Sequence, residues 1–85
     1  MRELEEFPNK FVEIIHETIG ANVQRIRQEK GISQLKLSYA IGHKSVSTIS
    51  CAEIYHNGLH FNIEHLAKIA YVLETDICEF FEGIY

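Results

Sequence analysis

The sequence predicts an all-α fold, a compact five-helix domain preceded by a helical arm. Three observations carry that reading. Apolar residues recur at three- and four-residue spacing along most of the chain. Only one Pro and five Gly interrupt its 85 residues. Glycines or small polar residues stand at the ends of the periodic runs, where helices start and stop. A chain of this length makes one domain with a limited core.

The first helix begins near Pro8, a residue suited to a first helical turn. Phe11, Ile15, Ile19, Val23 and Ile26 then form a stripe, and Gly31 after Lys30 ends it. Gly20 offers a break that would set residues 8–18 apart. The expected organisation is therefore an N-terminal helical arm over 1–17 and a helical domain over 18–85. Ser33 caps a second helix that runs through Leu37 and Ile41 to Gly42. Ser45 starts a third, "SVSTISCAE". The Asn57–Gly58 pair in "YHNGLHF" signals a turn. Asn62 caps a fourth helix with Ile63, Leu66, Ile69, Ala70 and Leu73 on one face. Asp76 caps a short fifth, where Glu79 completes a capping-box signature. Ile77, Phe80 and Phe81 close the core, and Gly83 ends the chain's last helix.

The third segment is the informative one. Ser45, Val46, Ser47, Thr48, Ile49 and Ser50 are mediocre helix formers. Taken as a helix, they put Ile49, Ala52 and Glu53 on one side and Val46, Ser47, Ser50 and Cys51 on the other. A short helix close behind another, joined by a Gly-containing turn, is the helix-turn-helix arrangement. Its second helix can enter a major groove roughly 12 Å wide. Short hydroxyls let it sit deep, and the amides near Ser45 offer a phosphate site.

Charge is distributed to match. The net charge is −4, yet residues 20–50 carry Arg25, Arg27, Lys30, Lys36 and Lys44 against Glu29 alone. Acidic segments flank this basic middle, as expected of one surface built to meet an anion.

"IGANVQRIRQEKGISQLKLSYAIG", "SVSTISCAE" and "NIEHLAKIAYVLETDICEFF" together resemble the Cro/lambda-repressor type (XRE-like) of helix-turn-helix transcriptional regulator. The resemblance covers about residues 19–81. It implies a five-helix repressor-like domain that binds double-stranded DNA as a homodimer. Matched residue by residue, Gln34 and Ser45 correspond to positions that hold the DNA backbone. Val46, Ser47 and Cys51 correspond to base-facing positions, with Thr48 and Ser50 on the same short helix. Arg27 and Glu53 correspond to a buried ion pair between the first helix and the reading helix. Lys44 and, more weakly, Lys36 are the candidate phosphate contacts. His43 lengthens the turn by one residue, and the loop at 54–61 is longer by two and lacks the usual Lys and Arg. No Arg, Gln or Asn stands at the base-facing positions, so bidentate base readout is missing and modest specificity is expected.

Other readings are weaker. Cys51, His56, His60 and His65 raise a metal site, but their spacing matches no zinc signature. His56 and His60 stand where loop lysines are missing, and would bind phosphates better when protonated. Cys51 on the reading face raises a redox switch, against the plainer view of a small residue that fits; Cys78 is expected to pack. Phe7, Phe11, Val12, Ile14 and Ile15 offer either extra core cover or a dimer interface. No phosphate loop, nucleophile elbow or catalytic pairing occurs, so neither an enzyme nor a cofactor is expected. Two cysteines, no membrane-length apolar run and an acidic start predict a cytoplasmic protein without a membrane partner. The rival function is a protein-interaction module, such as an antitoxin that meets a protein partner through an acidic surface.

Overall fold

Nineteen residues, Phe11–Glu29, form α1; α2 spans Gln34–Ala40, α3 Ser47–Glu53 and α4 Ile63–Leu73. Shorter 3-10 helices lie at Leu4–Glu6, His56–Gly58 and Ile77–Phe81. The computed structural model describes residues 1–84; Tyr85, the last residue of the expected domain, lies outside them. Among the described residues there are four α-helices and no strand. None is long and apolar enough to cross a membrane.

The expected fifth α-helix is instead the 3-10 helix Ile77–Phe81. Asp76 caps it by accepting from the Cys78 amide at 2.9 Å, not through a capping box with Glu79. The tighter winding buries Phe80 completely but leaves Phe81 37% exposed. It also turns Cys78 outward, where a hydrogen bond to Asp76 and that carboxylate's charge push the thiol up. Cys78 is therefore not a packing residue. A capping box forms at α4: Asn62 Oδ1 accepts from the His65 amide at 2.7 Å, and His65 Nδ1 accepts from the Asn62 amide at 3.1 Å. Histidine here takes the position that Glu or Gln usually fills. Ile63, expected inside, is exposed at the start of α4.

Gly20 does not break α1. It is buried where the C-terminal end of α3 crosses α1. A β-carbon there would collide with the carbonyl oxygens of Ala52 and Glu53, lying 2.7 Å from the latter. The glycine permits close approach, so its helix-propensity cost of about 1 kcal/mol is offset by packing. Helix α1 also starts later than Pro8, at Phe11 behind a left-handed Lys10.

Each helix sends a fully or nearly fully buried residue to one core: Val23 from α1, Leu37 from α2, Ile49 from α3, Leu66 and Ile69 from α4, and Phe80. The Asn22 amide donates to the carbonyls of Phe80 and Glu82, both at 2.9 Å, which fastens the C-terminal segment to α1. Burial on α1 begins only at Ile19. The radius of gyration is accordingly 13.7 Å, against about 12 Å for a spherical domain of this length. The first turns of α1 project from the core.

Candidate nucleic-acid interface

Helix α2, the turn 41–46 and α3 form one unit on the core. Gly42, at φ +89°, makes the turn. Its amide donates to Tyr39 and that of His43 to Ser38, closing α2 with a left-handed residue that a β-carbon would strain. Ser33 caps the other end, accepting from the Lys36 amide at 3.0 Å.

The inward edge of α3 is held by charge as well as by packing. Arg27 Nε donates to Glu53 Oε2 at 2.7 Å, and Nη2 donates to Oε1 at 3.1 Å. Nη1 donates to the Ile32 carbonyl at 2.7 Å. The Glu53 side chain is wholly buried, so the pair is bidentate and dry. Gln34 joins it, its Nε2 donating to Glu53 Oε1 at 2.9 Å. The structure thus brings Arg27, Gln34 and Glu53 into one network across α1, α2 and α3. Gln34 faces this network, with one amide hydrogen and its carbonyl left for an outside contact.

The outward edge carries the remaining candidates. Ser45, Ser47, Lys36 and Lys44 are exposed; Val46, Thr48, Ser50 and Cys51 are half-buried. Ser45 does not cap α3. Val46 occupies that position, and the Ser45 hydroxyl accepts from the Ser47 amide at 3.4 Å. The Ser50 hydroxyl donates to the Ser47 carbonyl at 3.2 Å, which occupies its hydrogen and leaves its lone pairs outward. Cys51 is an unpaired thiol on this face.

The basic middle of the chain thins once folded. Arg27 is buried, and Arg25 pairs with Glu29 at 3.2 Å and Glu82 at 3.3 Å. Lys30, Lys36 and Lys44 remain exposed, the last of them in the turn that leads into α3.

The histidines are arranged differently from the expectation. Among the described residues no three His, Cys, Asp or Glu side chains converge as a metal site. His60 instead stacks on His16 of α1, with ring centroids 3.7 Å apart, and Tyr55 lies against His16 at 5.7 Å. Burial, then the neighbouring His60, holds His16 below its ordinary value of 6.5. His65 is lowered by burial first and then by His43, whose ring lies 5.5 Å away. His56 is exposed in its own 3-10 turn. Residue order gave no sign of the His16–His60 contact, because it depends on how the loop 54–61 folds back over α1.

No family model matches this chain, and no curated protein matches it significantly.

Proposed function

We propose that the chain is a sequence-specific double-stranded DNA-binding regulator of the Cro/lambda-repressor helix-turn-helix type, a repressor acting in the cytoplasm as a homodimer. One observation carries the reading. A short helix is fixed along its inner edge by the buried Arg27–Glu53 pair, while its outer edge carries exposed Ser47 and half-buried Val46, Ser50 and Cys51, with exposed Lys44 in the turn before it. Small side chains on a rigidly held helix fit a groove, and hydroxyls can donate to or accept from base edges. Gln34 and Ser45 flank this edge as backbone contacts, with Thr48 beside them. Selectivity then rests on dimer geometry and DNA shape more than on bidentate pairing. Leu4, Phe7, Val12 and Ile14, all exposed on the projecting arm, supply apolar surface for the dimer.

Duplex affinity measured against salt tests the reading. Two phosphate-facing lysines per protomer predict a log–log slope of about −1.8 per protomer. Replacing Ser45 and Ser47 with Glu abolishes binding if α3 meets the duplex; affinity unchanged by both substitutions removes the proposal. A second reading, a protein-interaction module, draws on the apolar groove between α2 and α4 lined by Ala40, Ile41, Ala67, Tyr71 and Val72. It predicts no duplex retained at low salt and a copurifying protein.

A further inference from the structure

Ile63, Ala67 and Tyr71 follow one another at four-residue steps, so they form one stripe along α4. An apolar stripe ordinarily lies inward, yet this one faces solvent, with Ile63 70% and Tyr71 85% exposed. A different set, Leu66, Ile69, Ala70 and Leu73, serves the core. Helix α4 is therefore apolar on two sides, and the fold covers one of them. We infer that the outer face of α4 is a two-fold contact with a second copy of the chain, antiparallel and centred on Ala67.

The stripe is its own complement. About an axis at Ala67, the residues four before and four after change places, so Ile63 of each copy meets the partner's Tyr71. These two residues stand about 12 Å apart along the helix. Alanine lies where the two helices come nearest, which suits the close end of the roughly 8–10 Å range of interaxial distances. Beside Ala67 lies the groove of about 510 Å³ that Ala40, Ile41, Tyr71 and Val72 also line. Ile63 of the second copy reaches this groove at its Tyr71 border.

Charge obeys the same symmetry. Glu64 and Lys68 flank the stripe, paired within the chain at 3.3 Å and both more than half exposed. In the antiparallel arrangement Glu64 of each copy stands about 3 Å along the axis from the partner's Lys68. Two separate pairs then become one group of four charges with alternating sign. A parallel arrangement would oppose Glu64 to Glu64 and Lys68 to Lys68, so the sign pattern selects the antiparallel one.

An isologous contact of this kind closes at two copies. It falls at the small end of specific interfaces, under roughly 1,200 Å², so a reversible dimer in the micromolar range is expected. No residue of α3 lines the groove, which leaves the outer edge of that helix open. The inference rests on the homodimer proposed above and adds α4 to the arm as a contact; it does not require the chain to meet DNA.

Sedimentation velocity of the full chain over a micromolar to millimolar series tests it. Ala67→Glu and Ala67→Lys both place a good helix former at an exposed position, and circular dichroism checks that each stays folded. Each alone should raise the dimer dissociation constant about a hundredfold, because like charges meet on the axis. Mixed in equal amounts, the two variants should recover the dimer, since opposite charges then meet there. Damage to α4 itself could not be rescued in this way. An unsubstituted chain that stays monomeric throughout removes the contact and the homodimer together. A dimer that ignores both substitutions, or variants that stay monomeric when mixed, overturns the α4 contact alone and leaves the homodimer to the arm.

Discussion

The two halves of α1 belong to one unbroken helix yet are held by different forces. From Ile19 to Glu29 it buries Ile19, Val23 and Ile26, admits α3 at Gly20 and locks Arg27 to Glu53. From Phe11 to His16 only Ile15 packs against the core, and His16 rests on the stacked rings of Tyr55 and His60. The C-terminal half is dry and locked by a buried ion pair. The N-terminal half is half-solvated and held by stacked rings more than by core packing. Continuity of secondary structure therefore does not imply uniform stability.

The strongest way to break the contrast is at the buried pair. Glu53→Ala strands the Arg27 guanidinium and the Gln34 amide, and should cost about 3–5 kcal/mol in denaturant unfolding. Gly20→Ala comes next. Its β-carbon meets backbone oxygens of α3, which cannot rotate away, so a loss of about 1–3 kcal/mol is expected despite alanine's better helix propensity. A gain in stability would show that the α1–α3 crossing is looser than described.

The soft half answers to acid. Burial lowers both His16 and His65 in the fold, so the unfolded chain takes up protons at these rings more readily. Their contribution is complete above about pH 6.5 and declines as the pH falls below it. Urea midpoints between pH 7.5 and 5 should record this decline. His16→Phe keeps a ring in the stack without a titrating group and should flatten the curve; an unchanged curve assigns the acid response elsewhere. The smallest effect belongs to the exposed Glu64–Lys68 pair at 3.3 Å, where Lys68→Ala should change stability by about 0.3–0.5 kcal/mol at low salt.

Much of the helical frame could be read from local pattern. Ser33, Gly31, Gly42 and Asn62 mark helix ends because capping is decided within a few residues. Features that depend on distant partners were harder to read. Gly20 looks like a helix breaker until α3 is laid across it. His65 looks like a solvated histidine until its ring nitrogen meets the Asn62 amide. Residues 76–82 carry a helix signature, yet Ile77–Phe81 winds as a 3-10 helix that buries Phe80 alone. For the site, the inward edge of α3 follows from helical periodicity. The imidazoles beside its outer edge do not, since the loop 54–61 has no period and contains left-handed Tyr55 and Asn57.

The central claim is that the exposed hydroxyl edge of α3 meets double-stranded DNA. Amide chemical-shift mapping during titration with a low-salt duplex tests it most directly. The account predicts shifts concentrated at residues 43–51 and 59–65, with the Arg27–Glu53 network unmoved. Shifts confined to the α2–α4 groove, or none at saturating duplex, would contradict it.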